Sequence, residues 1–115
     1  MAHGTHAKDD PERATMPFVV GNVAANADQA AIVLLTIDGV WLATQGYGDD
    51  IHHAGLPPLK EVIDAFVAAG GQIWACGACT KPRNITEADL ISGARIVTAA
   101  KVVECLVAGA STLNF

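Results

Sequence analysis

The chain has 115 residues, of which 51% are hydrophobic and 17% charged, with a mean hydropathy of +0.34. That is too apolar for a disordered chain and too short for two independent cores, so one globular domain is expected. Seven basic against twelve acidic residues give a formal net charge of −5, with no basic run, and only two Trp, one Tyr and three Phe are present. Nucleic acid and anionic membranes are therefore not expected partners.

In chain order, Met1–Ala14 is polar and lacks the apolar stretch of a secretory signal. Residues 1–15 read as a flexible arm carrying His3 and His6, and residues 16–115 as the folded domain. The longest apolar run, Ala30–Leu35, is far below the roughly 20 residues a membrane helix needs. A cytoplasmic protein with no membrane association is expected.

Pro17–Val23 is a β-branched run that predicts a buried strand. Asn26 and Gln29 have capping-box spacing, and the run to Leu35 predicts a helix that is apolar nearly all round. Asp38 reads as a turn residue before Gly39, and Val40–Thr44 as a second strand. Gln45–Pro57 is a long polar connection holding three glycines, Asp49, Asp50, His52 and His53. Such a length in a compact domain usually marks function or contacts.

Pro58 suits the first turn of a helix whose apolar positions, Leu59, Val62, Ile63, Phe66 and Val67, have 3.6-residue spacing. Gly70 and Gly71 end it. Gln72–Ala75 predicts a strand running directly into Cys76. Thr86–Asp89 opens a short helix, Arg95–Val97 a brief strand, Ala99–Ala108 an amphipathic helix and Ser111–Phe115 a last strand. Trp41 and Trp74 fall on predicted strands and read as core or interface residues. The alternation predicts a single three-layer α/β domain: a mostly parallel five-stranded sheet with helices on both faces. Chemistry in such sheets gathers beyond the carboxyl ends of the strands, where Cys76 falls.

Three cysteines, Cys76, Cys79 and Cys105, are an odd number without a secretion signal, which argues against a disulfide framework. Cys105 lies in the apolar stretch of the last helix and reads as structural. Cys76-Gly-Ala-Cys79 is compatible with redox, zinc or sulfur chemistry. A structural zinc needs four ligands and there is no second cysteine pair, so neither a metal nor a cofactor is expected. His52 and His53 would have to complete such a site through the tertiary fold. A thioredoxin-like reading misplaces the motif, which follows the third predicted strand and precedes only a short helix. What remains is a nucleophilic thiolate at Cys76, favoured by the cationic Lys81 and Arg83 and by backbone N–H groups of the turn. Gly77 allows a partner's backbone to approach. The competing reading makes Cys76 a small buried hydrophobe.

Gly70–Ala94, GGQIWACGACTKPRNITEADLISGA, resembles the DsrE/DsrF-like sulfur-relay family, which has the YchN-like fold. Cys76 falls on the family's cysteine, Arg83 on its arginine, and Glu87, Asp89, Gly93 and Ala94 on the later pattern. Asn84 stands where the family usually has glycine, and Asn tolerates a left-handed backbone. The closing LVAGASTLNF is also similar, so the resemblance covers about residues 16–115. It implies a compact parallel five-stranded α/β fold, assembly as a homotrimer or homohexamer, and a persulfide carried on Cys76 between a protein donor and a protein acceptor.

Three functions follow as expectations. The first is a sulfur carrier of sulfurtransferase type, with Cys76 as acceptor, Arg83 and Lys81 stabilising its charge, and Cys79 as a resolving thiol or bystander. The second is a thiol-disulfide redox protein cycling Cys76 and Cys79. The third is a non-catalytic homo-oligomeric domain.

Overall fold

The computed structural model describes residues 1–115. Five strands form one sheet in the order β4-β3-β2-β1-β5, and every pairing is parallel. The strands are β1 (Ala2–Gly4), β2 (Ile32–Leu35), β3 (Gln72–Cys76), β4 (Ala94–Val97) and β5 (Leu113–Asn114). The helices are α1 (Pro11–Asn26), α2 (Leu59–Ala68), the single turn α3 (Gly77–Thr80) and α4 (Ala99–Val107). The expected five-stranded parallel α/β fold is present.

Its first third is built differently from the expectation. Residues 2–4 are not a flexible arm: they form β1, inserted between β2 and β5. The strand is legible only in three dimensions, because Ala2 and Gly4 are small enough to let α1 lie close. A Cβ at Gly4 would come within 2.9 Å of the Pro17 ring. The expected strand at Pro17–Val23 is helix α1. Its start signal lies upstream, where the Asp10 side chain accepts from Arg13 N at 3.1 Å, Pro11 fills the first turn, and Glu12 follows. Its buried residues, Ala14, Thr15, Pro17, Phe18 and Gly21, repeat at helical spacing with mostly small side chains.

The expected helix up to Leu35 is strand β2. A short run that is apolar on every side suits a central parallel strand, and period alone does not separate it from a buried helix. Asn26 closes α1 instead of capping a new helix. The expected strand at Val40–Thr44 is the end of a 3-10 helix, Ile37–Ala43. That segment lies against β1, where a Cβ on Gly39 would stand 2.5 Å from Gly4 O. The expected short helix after Thr86 is a 3-10 turn, Glu87–Asp89. The Asp89 carboxylate accepts from Thr86 N at 2.7 Å and closes a capping box.

From α2 onward the expected elements stand nearly where the periodicity puts them. Leu59, Val62, Ile63 and Phe66 form the buried stripe of α2, and Gly70 ends the turn at φ +92. The main core lies between the sheet, α1, α2 and the Ile37–Ala43 segment. At its centre Phe18 and Phe66 meet edge to face, with ring centroids 6.1 Å apart. Glycines at 21 and 71 make room for the Phe66 ring. The opposite face of the sheet is thinner. Leu34, Trp74 and Val97 are covered there by Val102 and Cys105 of α4, with Met1 and Ile32 alongside. No residue of α4 is fully buried, and Val103, Leu106 and Val107 are exposed.

Candidate functional site at the end of the third strand

Cys76 is the last residue of β3 and the cap residue of α3, with φ −64 and ψ 123. Along β3, Ile73 and Ala75 enter the main core while Trp74 faces α4. Strand alternation therefore turns Cys76 to the α4 side of the sheet. It is half-buried. On one side its partner in register is Val97 of β4. On the other, the pairing with β2 ends one residue earlier, at Leu35 and Ala75.

Cys79 lies three residues on, also half-buried, and packs against the main core. Cys76, by contrast, joins neither apolar cluster, and all three cysteines are free. Cys105 is half-buried against the smaller cluster. The chain then makes a 3-10 turn, Lys81–Arg83, closed by Asn84 at φ +57 and ψ 32. A left-handed residue is needed there, and Asn supplies it in place of glycine.

Arg83 folds back over this turn. Its Nη1 donates to Cys79 O at 3.0 Å and its Nη2 to Asp38 Oδ1 at 2.9 Å. Its charge is thus already shared with a carboxylate, which tempers the field it offers a thiolate. Lys81 is exposed on the same turn. Asp38, which reads in the sequence as a turn residue, is therefore a partner of the site. Only the tertiary contact between the Ile37–Ala43 segment and α3 reveals it. Beside Asp38, Ile37 is 54% exposed and held at φ +55. A β-branched residue in that region is strained, and such strain gathers at functional rims.

Arg83 and Asn84 also line a cleft of about 430 Å³, with Trp41, Thr44 and Gln45 on its other wall. Trp41 stacks on Tyr47 at 5.8 Å. A larger cavity of about 550 Å³ lies between α2, the Gln45–Pro57 connection and Leu90–Ser92, and none of the cysteines lines it. The two loop histidines are engaged elsewhere. His52 Nε2 bonds to Leu56 O at 2.8 Å, and His53 Nε2 reaches Glu12 Oε2 on α1 at 3.0 Å, tying the loop to that helix. No group of three or more His, Cys, Asp and Glu side chains is placed to hold a metal ion. No helix is long and apolar enough to cross a membrane.

An all-parallel α/β layer with a half-exposed thiol at the carboxyl end of an inner strand defines the class. The DsrE/DsrF-like family profile matches residues 3–115, and the chain belongs to that family. Among solved structures it is similar to the YchN protein of E. coli, with a TM-score of 0.81 and 16% identity, over 99% of this chain and 96% of that one. It is also similar to MTH1491 of Methanobacterium thermoautotrophicum, described as a protein of unknown function, with a TM-score of 0.72 and 18% identity over the same shares. Both likenesses speak to fold.

Two curated relatives are uncharacterised. MJ0760 of Methanocaldococcus jannaschii is 27% identical over 95 residues, covering 83% of this chain and 34% of that protein. MK0008 of Methanopyrus kandleri is 32% identical over 66 residues, covering 57% of this chain and 51% of that protein. The chain thus spans between a third and about half the length of these relatives.

Proposed function

We propose that the protein is a sulfur carrier that accepts and passes on a persulfide sulfur at Cys76. The observation that carries this reading is the position of the thiol. It is half-buried at the end of β3, followed by a glycine turn, in a chain of the DsrE/DsrF-like family. A Cβ on Gly77 would stand 3.3 Å from Val97 O, so glycine keeps this turn tight against β4. In the transfer, the Cys76 thiolate attacks the outer sulfur of a donor persulfide. A new sulfur–sulfur bond forms, the donor's own breaks, and the donor leaves as a thiolate. Delivery to an acceptor thiolate is the same exchange in reverse, with no net oxidation. Arg83 and Lys81 supply positive charge to the turn, and Cys79 is the second thiol within it.

A cytoplasmic setting, where thiols stay reduced, suits this chemistry. Assembly as a homotrimer or homohexamer belongs to the same reading. It is supported by the exposed Val103, Leu106 and Val107 of α4 on the thinner face, with Val107 82% exposed. Light scattering at micromolar concentration is expected to give a trimer or hexamer, and a monomer would contradict that assembly.

Intact mass after incubation with a low-molecular-weight persulfide tests the carrier role. A gain of one sulfur atom, lost in Cys76→Ser and kept in Cys105→Ser, is expected. A reversible loss of two hydrogens that needs both Cys76 and Cys79, with no sulfur gain, would replace the carrier with the thiol-disulfide reading. Neither species, together with slow native alkylation of Cys76, would leave a non-catalytic oligomeric domain.

A further inference from the structure

β4 forms one margin of the sheet, with β3 on its inner side and no strand beyond it. Backbone groups along a strand alternate in direction. Gly93 O accepts from Ile73 N at 3.0 Å, and Ile73 is in register with Ala94. Gly93, Arg95 and Val97 therefore turn their backbone groups towards β3, and Ala94 and Ile96 turn theirs outwards. Ala94 N is satisfied close by in the chain, donating to Ile91 O at 3.2 Å. Ile96 N is satisfied by a side chain: it donates to Glu87 Oε1 at 3.0 Å.

The turn that presents Glu87 is firmly held. The Thr86–Asp89 capping box closes it, and Gln45 N donates to Asp89 O at 2.9 Å. None of the ion pairs in the chain uses the Glu87 carboxylate, so the Ile96 amide is the partner the fold gives it. The margin is open to solvent, with Glu87 and Arg95 exposed and Ala94 and Ile96 half-buried.

Stripped of that carboxylate, the margin is complementary to itself. Ile96 would present a free N–H and a C=O on the same side. Two copies related by a twofold axis at Ile96 would run antiparallel there, and each Ile96 would exchange both bonds with its twin. Glu87 prevents this in two ways. It occupies the donor, and the axis would bring two carboxylates together.

We propose that Glu87 is a gatekeeper of the β4 margin, holding the Ile96 amide so that two copies of the chain cannot join sheet to sheet. The task falls to an acidic residue that the carrier reading leaves unused. It is independent of sulfur transfer at Cys76 and of assembly through α4.

Sedimentation velocity of the reduced full chain, over a roughly fiftyfold range of concentration, tests the block. Wild type is expected to keep one mass throughout. Glu87→Ala is expected to gain a species of twice that mass as concentration rises. Amide exchange followed by NMR locates the contact. In dilute Glu87→Ala the Ile96 amide should exchange about tenfold faster than in wild type. The Arg95 and Val97 amides, which face β3, should be unchanged. In concentrated Glu87→Ala the Ile96 amide should become protected again. Glu87→Gln keeps an oxygen that accepts, and should keep the wild-type mass and most of the protection. Glu87→Ser, too short to reach the amide, gives the same readings should the alanine variant lose the turn. Wild-type mass at every concentration in the alanine or serine variant overturns the proposal. A doubled species whose Ile96 amide stays unprotected also overturns it, because the copies then meet elsewhere. Doubling of Glu87→Gln to the same extent would reject occupation of the amide as the cause.

Discussion

Arg83 makes two bonds of unequal worth, and a double-mutant cycle separates them. Its side chain is 24% exposed, whereas that of Asp38 is 55% exposed. An ion pair so open to water is worth about 0.5 kcal/mol. The bond from Arg83 Nη1 to Cys79 O, at 3.0 Å, is charge-assisted and more sheltered, and about 1.5 kcal/mol is expected from it. Asp38→Ala should therefore cost about 0.5 kcal/mol and Arg83→Met about 2 kcal/mol. The double variant should cost little more than Arg83→Met, leaving a coupling near 0.5 kcal/mol. Urea unfolding at pH 7 measures all four corners. In about 1 M salt the coupling should fall towards zero while most of the Arg83 cost persists, because only the exposed pair is screened. An Asp38→Ala loss as large as that of Arg83→Met would refute this division. So would a coupling that salt leaves unchanged.

Three other outcomes follow from the fold. Phe66→Ala removes the ring at the centre of the main core, fully buried against Phe18; a loss of about 3–5 kcal/mol in chemical denaturation is expected. Gly39→Ala forces a methyl group to 2.5 Å from Gly4 O, a backbone atom that cannot rotate away; about 1–3 kcal/mol should be lost, and Gly39→Ser should be no better. The His6 hydrogen bond, with Ala7 N adding to it, holds the Asp9 carboxyl below its ordinary value of 3.8. A depressed carboxyl stabilises the fold above that value and loses the contribution as pH falls through the folded midpoint. NMR titration should place Asp9 below 3.8, and His6→Ala should move it back up.

The second half of the chain was legible because its elements carry their own signals. The α2 stripe, the glycines after it and the apolar strand that ends at Cys76 each announce themselves locally. The first third misleads for physical reasons. Ala2–Gly4 has no strand propensity of its own and becomes β1 only by pairing with β2 and β5. Pro17–Val23 has strand-like composition, but the Asp10-Pro11-Glu12 start fixes a helix before that run begins. The result is a correct alternation of strands and helices assigned one element late. Cys76 survives this shift because β3 is placed correctly. Asp38 does not, since it reaches Arg83 only through tertiary packing. A reading that assigns His3 to a mobile tail has no means of seeing its bonds to Asn114 and Thr36.

The clasp between β1 and β5 joins the beginning of the chain to its end. Leu113 N donates to Met1 O at 3.0 Å and Phe115 N to His3 O at 2.8 Å. During synthesis, β1 can pair with β2 early, yet its other edge stays bare until residues 113–115 leave the ribosome. A bare edge strand is a template for pairing with another chain. The nascent protein therefore passes through an interval of exposure to its own copies, closed by a strand of only two residues.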